Sequence, residues 1–443
     1  MSEKEKTTRY NEIAQKYGDP WIWGIYFTLI IISIIESYSA SSREIATAGV
    51  YAPIIKQCMF LAIGGGLVFV LHRVDYNKPR FLYIMIPVLA LFTVFCLIYV
   101  MLFGEVINGA QRAMKILPGI TLQPAELAKL SIVTLLAYIL SKSQQNRDIS
   151  NNGIAGATIA VALYSGLMFG SGLTNTLLLF AISGSMLLIS GASFKKIGTL
   201  FLILVVVFCL FFVIKHNNDK KTEVIEQSST ELVTQNNGNS STGVRLRDDT
   251  WKSRFNDYLH QDSLRFRPIT NKNQQEMFSR MAQAHGGWHG VGVGNSRECS
   301  RLPLAFSDYI YSIIIEETGL LGGLFVLILY LWLLARAAMI VRRSKRVLPS
   351  LLVIGMAALI TYQALFHMAI NVGVFPVSGQ PLPLISKGGT SIVVMSVAFG
   401  IMLSVSRTIA NGNMPGKKAD EAPLPEGLDA ENPTQILPKN IWK

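Results

Sequence analysis

The feature that most restricts how this chain can fold is a repeated pattern. Long apolar runs alternate with short polar breaks from Trp21 to about residue 410. About twenty apolar residues, at 1.5 Å rise each, cross the hydrocarbon of a bilayer as a helix. Such segments start near Trp21, Pro53, Phe81, Pro124, Gly153, Thr174, Ile197, Asp308, Ser350 and Ile385. The expected fold is an all-α integral membrane protein of about ten transmembrane helices. A long extracytoplasmic loop, residues 215–305, is expected between helices seven and eight. Residues 1–20 read as an N-terminal segment, 21–410 as one membrane domain, and 411–443 as a Pro- and charge-rich disordered tail.

Composition supports a membrane reading. Half of the 443 residues are hydrophobic and only 15% are charged, against about 25% charged in a soluble domain. The net charge of +12 sits mainly in short loops. That is the positive-inside pattern, not a nucleic-acid surface, because no groove-reading motif accompanies it. Lys4, Lys6, Arg9, Lys16, Arg73, Lys78, Arg80, Lys195, Lys196 and the cluster from Arg336 to Arg346 all fall on one side. With that side cytoplasmic, both termini are cytoplasmic. The first apolar run has a polar lead and no small-residue cleavage site, so it is expected to stay as a helix. Cys58, Cys96, Cys209 and Cys299 lack metal or redox spacing. His285 and His289 are four apart, but the glycines between them disfavour a helical zinc pair.

Four polar clusters fall on the outer side of this topology. In Asn108–Lys129, Pro124 suits a helix start and Glu126 the positive end of its dipole. Glu126 and Lys129 can pair at i,i+3, either as a purely internal ion pair or as part of a polar cavity. In Gln283–Ser296 the glycines resemble a phosphate-binding loop, but the strand-then-helix context is absent; a tight surface or re-entrant turn is the alternative. The third cluster begins LPLAFSDYIYSIIIEETG. A carboxylate at membrane depth costs roughly 2.5–3.5 kcal/mol, so Asp308, Glu316 and Glu317 each require a reason. Asp308 or Ser307 can cap the helix. Glu316 and Glu317 lie about 12 Å deeper on other faces, so they do not cluster with Asp308 and read as structural or coupling residues. The fourth cluster, His367–Ser391, carries three prolines and several glycines that break helix geometry, as at transporter substrate sites or in an ordinary loop.

These strings, in this order (GAQR, LQPAELAK, GGWHGVGVGNS, LPLAFSDYIYSIIIEETG and NVGVFPVSGQPLPLISKGGTS), resemble the SEDS family of shape, elongation, division and sporulation proteins. The family includes FtsW and RodA, and the ending of the last string is closer to the FtsW branch. The resemblance covers most of the chain. It implies a peptidoglycan glycosyltransferase that polymerises lipid II, an undecaprenyl-pyrophosphate-linked disaccharide-pentapeptide, at the outer face of the bacterial cytoplasmic membrane. It implies a class B penicillin-binding protein as crosslinking partner, with divisome membrane proteins beside it.

By the same resemblance Asp308 matches the essential acidic residue. Arg112, Gln123, Glu126 and Lys129 match a polar cavity, and Gln275 a glutamine upstream of the glycine loop. Gly292, Gly294, Asn295 and Ser296 match the loop itself. Ser386, Lys387, Gly388, Gly389 and Ser391 match the last motif, with Asn371 at its start. The chain departs from the family pattern at Lys387, which replaces a tyrosine, at Glu298 and Cys299, and at Leu304 and Phe306.

The implied chemistry needs a base for the acceptor 4-hydroxyl and positive charge for the departing pyrophosphate. Asp308 supplies the first. Arg112 and Lys129, or a bound divalent cation (magnesium or manganese), supply the second. Backbone N–H groups of the glycine loop are expected to approach sugar or phosphate. No organic cofactor is implied. The competing readings are a lipid-linked precursor flippase, a non-catalytic divisome scaffold, or another lipid-linked sugar polymerase.

Overall fold

The structure is a computed structural model that describes residues 3–40, 52–74, 79–107, 110–117, 120–145, 148–169, 172–198, 269, 273–302, 305–344, 346–376 and 378–412. Its main helices are α1 (Glu3–Tyr17), α2 (Pro20–Ser39), α3 (Ala52–Leu71), α4 (Pro79–Phe103), α5 (Pro124–Lys142), α6 (Asn151–Phe169), α7 (Leu173–Ile189), α8 (Gln274–Gly286), α9 (Ile310–Val341), α10 (Val347–Asn371) and α11 (Gly389–Gly412). Among the described residues, eight of these are long and apolar enough to cross a membrane: α2 to α6 and α9 to α11. Helix α7 is a shorter apolar helix. The all-α membrane fold expected from the hydropathy pattern is therefore present. The span expected near Ile197 begins with helical residues 194–198, and its remainder lies outside the described residues. So do the basic and aromatic half of the long loop and the C-terminal tail.

The bundle is built around α5, α10 and α11, whose spans are largely buried within the protein. Helix α10 packs against α5, α7, α9 and α11. Helices α3 and α4 are peripheral and leave residues such as Ile55, Leu91 and Phe95 exposed, as lipid-facing spans do. The short strands were not expected from the sequence. Residues Glu105–Ile107 (β1), Ala110–Leu117 (β2) and Ile120–Leu122 (β3) form an antiparallel sheet that leads into α5. Lys115 pairs with Thr121 and Met114 with Leu122. Two short strands, β4 (Gln144–Gln145) and β5 (Asp148–Ile149), pair between α5 and α6. The Lys196 ammonium bonds Asp148 at 2.7 Å and holds that carboxyl below the usual carboxylate range.

One end of the bundle, the terminal face, gathers the N-terminal helix and the C-terminal end of α11. Pro20 occupies the first turn of α2, where its missing N–H is no loss. Asp19 is the N-cap, and its Oδ1 accepts from Trp21 N at 2.9 Å. The other carboxylate oxygen accepts from Arg336 Nε at 2.8 Å and from the Tyr10 hydroxyl at 2.7 Å. Arg336 Nη2 also donates to the Tyr10 hydroxyl. The Asp19 backbone N donates to Ser406 Oγ at 2.9 Å. One residue thus ties α1, α2, α9 and α11 together. Burial, followed by the Asp19 bond and charge, pushes the Tyr10 phenol up to about 12, so it remains a neutral donor.

Removing one partner of a buried ion pair strands the other, at about 3–5 kcal/mol. Asp19→Ala is therefore expected to lower the thermal midpoint of the purified protein clearly, whereas Asn11→Ala, on the same face, is not. Equal midpoints for the two variants would contradict the role given to Asp19.

Candidate active site

The opposite, distal end of the bundle carries all four polar clusters, and it is organised by a break in α9. Gly319 has φ 75° and ψ −177°, so the helix is interrupted there. The interruption releases carbonyls that a continuous helix would use. Glu316 O accepts from Val291 N, and Glu317 O from Gly292 N, both at 2.9 Å. In return Leu320 N donates to Gly287 O at 2.9 Å. The glycine loop after α8 is thus laid backbone to backbone onto α9. A Cβ at Gly290 would stand 2.2 Å from Glu317 O, and one at Gly319 2.3 Å from Trp288 O. Both glycines also hold positive φ.

This geometry accounts for Glu316 and Glu317. The Glu316 carboxylate is 0% exposed. It accepts from Ser296 Oγ, from Arg297 N at 3.0 Å and from Glu298 N at 3.4 Å. Ser39 Oγ of α2 donates to Glu317 Oε1, and Cys299 Sγ contacts Ser39 O at 3.6 Å. Buried Glu36 of α2 also adjoins Glu317 electrostatically. The two glutamates are the pins of the loop, which places the structural role expected for them on named partners.

Several backbone N–H groups of the loop are engaged within the protein. The amides of Gly290, Val291, Gly292, Asn295, Arg297, Glu298 and Cys299 are all bonded within the protein. Gly290 and Gly319 allow the close approach of the loop to α9. Gly292 and Gly294 lie at positive φ in the tight turns. Asn295 Nδ2 reaches Val291 O at 3.3 Å. Helix α8 ends at Gly286 and His289 lies beyond it, so the two histidines do not share a helix. His285 Nδ1 lies 3.6 Å from Glu298 and 3.7 Å from Glu316.

Asp308 is not inside α9, nor is it the cap; the helix starts at Ile310, with Tyr309 as N-cap. Asp308 sits half-buried in the preceding turn, and its Oδ1 accepts from Ser307 Oγ at 2.9 Å. The last motif closes over that turn. Ser386 Oγ donates to Ser307 O at 2.8 Å, and Lys387 N donates to Phe306 O at 3.0 Å. The Lys387 ammonium lies 4.7 Å from the Phe306 ring centroid. Leu384 adopts φ 63°, rare for a branched residue. Tyr330, which donates to Pro383 O at 2.6 Å, and Ser386, which accepts from Leu382 N at 2.7 Å, brace this strained turn. Gly388 and Gly389 follow, and Gly389 opens α11, four residues later than the expected span start at Ile385, because this folded turn occupies the interval.

The first cluster meets the last in the core. Lys129 is 0% exposed and donates to Glu126 Oε1 and to Gln363 Oε1, both at 2.6 Å. Ser391 Oγ donates to Glu126 Oε2 at 3.3 Å, and Gln363 Nε2 to Pro381 O at 3.1 Å. Lys129 thus joins α5 to α10 in the buried core. Gln123 is the N-cap of α5 without a side-chain cap bond. Arg112 lies on β2, and its side chain is outside the described residues. Gln275 is half-buried in the first turn of α8.

Sequence reasoning missed Gln363 and Glu36, and took Gln283 only as the start of the glycine cluster. Each is a lone polar residue in an apolar or helical run, and that was the available signal. Among the described residues, no three His, Cys, Asp or Glu side chains converge as a metal-ligand set. No chemical step is routed through a divalent cation here.

Two outcomes follow from these contacts. In hydrogen exchange, Glu316→Ala is expected to lose protection at Arg297 and Glu298 while the interior of α10 keeps its own; unchanged protection at 297–298 would contradict the pinning. Lys129→Met strands the Glu126 carboxylate and is expected to cost about 3–5 kcal/mol, most of which Glu126→Gln added to it restores. A stable single variant would contradict the buried pair.

Residues 20–411 match the FtsW/RodA/SpoVE family, described as cell cycle proteins. The chain is 28% identical to the probable peptidoglycan glycosyltransferase FtsW of Bacillus subtilis, over 91% of this chain and 92% of that protein. It is 28% identical to the probable FtsW of Lactococcus lactis, over 86% and 90%. It is 25% identical to the peptidoglycan glycosyltransferase MrdB of Escherichia coli K12, over 87% and 93%. The fold is similar to that of the Thermus thermophilus rod shape determining protein RodA, with TM-score 0.57, 19% identity, and 88% and 97% coverage. It is also similar to a chain from a peptidoglycan synthase complex that coordinates polymerisation and crosslinking, with TM-score 0.61, 21% identity, and 87% and 98% coverage. With nearly the whole described bundle inside the matched region, this chain belongs to the FtsW/RodA/SpoVE family.

Proposed function

We propose that this protein is a peptidoglycan glycosyltransferase that polymerises lipid II at the outer face of the bacterial cytoplasmic membrane, with both termini in the cytoplasm. The observation that carries the reading is the junction at Asp308. A half-buried carboxylate stands in a turn at the distal end of the bundle, and the Ser386–Lys387 segment is hydrogen-bonded to residues 306–307 beside it. The relatives named peptidoglycan glycosyltransferase match over most of their own length, which supports the same activity here.

In the proposed reaction Asp308 accepts the proton of an N-acetylglucosamine 4-hydroxyl. The freed oxygen forms a bond to the anomeric carbon of the donor sugar. The bond from that carbon to undecaprenyl pyrophosphate breaks, and the electron pair leaves with the pyrophosphate. A partly desolvated carboxylate at the membrane surface is a stronger base than one in water. Lys387, over the Phe306 ring beside this turn, and Arg112 take the phosphate charge. Lys129 and Glu126 keep the surrounding helices in place. The lipid tails lie between helices, so substrate enters sideways from the bilayer. A class B penicillin-binding protein crosslinks the product, and divisome membrane proteins form the remaining surroundings.

Asp308→Ala is expected to leave the thermal midpoint and lipid II binding unchanged and to abolish polymer in a gel assay with purified protein. Normal glycan chain growth by that variant would overturn the assignment. Lipid II supplied only to the outer side of reconstituted vesicles separates an enzyme from a flippase, because only the enzyme makes polymer there.

A further inference from the structure

Asp308 lies before the first turn of α9, so helix hydrogen bonds do not hold its backbone. Another residue does. Asn371, the last residue of α10, is 2% exposed. Its Nδ2 donates to Asp308 O at 3.0 Å and to His367 O at 2.9 Å. Its Oδ1 accepts from Ser312 N at 3.3 Å and Ser312 Oγ at 2.9 Å. One amide therefore supplies a side-chain cap bond that the N-cap residue Tyr309 does not give to α9, and at the same time grips the Asp308 carbonyl. An amide alone among side chains of this size can do both, since it carries an acceptor and two donors.

Asn371 is itself held from the α8 side. Gln283 Nε2 donates to Asn371 O at 2.7 Å and to Ser312 Oγ at 2.9 Å. Ser279 Oγ meets Ser312 Oγ at 2.7 Å and Asn371 O at 3.4 Å. Three helices thus converge beside one backbone carbonyl. That is a dense arrangement for the short turn that carries the Asp308 carboxylate.

We propose that Asn371 is a positioning residue for glycan polymerisation, setting the Asp308 carboxylate against the acceptor hydroxyl through the Asp308 backbone. The proposal rests on the catalytic reading of Asp308. A base displaced by about 1 Å loses on the order of a hundredfold in rate, so control of this turn is control of kcat.

The test uses the purified full chain with its transpeptidase partner and lipid II, measuring kcat, KM, the pH profile and thermal midpoint of Asn371→Asp beside Asp308→Ala. Asn371→Asp keeps the acceptor that caps α9 but turns an oxygen toward the Asp308 carbonyl. Its midpoint is expected to fall, because a buried oxygen then faces the Asp308 and His367 carbonyls, while in the folded variant kcat falls roughly ten- to hundredfold and KM stays nearly unchanged. The acid limb of kcat is expected to move to higher pH, because a new carboxylate raises the proton affinity of Asp308. Parental kcat and pH profile in Asn371→Asp, with Asp308→Ala inactive, would overturn the positioning role alone. Activity in Asp308→Ala would overturn both readings. Should Asn371→Asp not fold, Gln283→Met removes two of the bonds that hold the amide without adding charge. A lower kcat at unchanged KM then supports the proposal, and a parental kcat overturns it.

Discussion

The break of α9 at Gly319 is the constraint around which the distal face is arranged. Unpaired backbone groups at membrane depth are tolerated only when protein or water satisfies them. Here the freed carbonyls of Glu316 and Glu317 are taken by Val291 and Gly292. The broken helix and the glycine loop therefore require each other. The Glu316 side chain then extends the same contact outward to Arg297 and Glu298. Two carboxylates that look costly in an apolar segment are each engaged, one with the loop and one with α2. The turn bearing Asp308 follows directly from the loop they pin.

Buried polarity elsewhere in the bundle has the same character. The Glu126–Lys129 pair joins α5 to α10 through Gln363 and to α11 through Ser391. Asp19 joins four helices at the terminal face. Such pairs add little net stability compared with apolar packing, but removing one member is severe, so they favour one arrangement over its alternatives. In a bilayer, where apolar side chains gain little from leaving lipid for each other, polar contacts of this kind are well suited to fixing how spans pack. The rigid interior of α5, α10 and α11 then presents the distal loops in a defined geometry.

Much of the architecture was legible in the sequence. The hydropathy pattern places α2 to α7 and α9 to α11 within a few residues, because twenty-residue apolar runs admit little else. The four clusters were legible as sites of unusual polarity. What the sequence did not disclose was which polar groups satisfy one another. The glycine spacing does not reveal that Val291 and Gly292 donate to the broken helix 25 residues on. Likewise the sequence does not show that Lys129 bonds Gln363, far along the chain. The strands β1 to β3 and the helices α1 and α8 carry no apolar run long enough to announce them.

The structural account and the proposed chemistry meet at one distance, from the Asp308 carboxylate to the acceptor sugar. A structure of the protein with a non-hydrolysable lipid II analogue and an acceptor glycan measures it directly. The account places a carboxylate oxygen within about 2.6–3.2 Å of the acceptor 4-hydroxyl, with the donor pyrophosphate on the Lys387 side and the glycine loop still docked on α9. A sugar bound away from that turn, or a pyrophosphate seated at the terminal face, would contradict it.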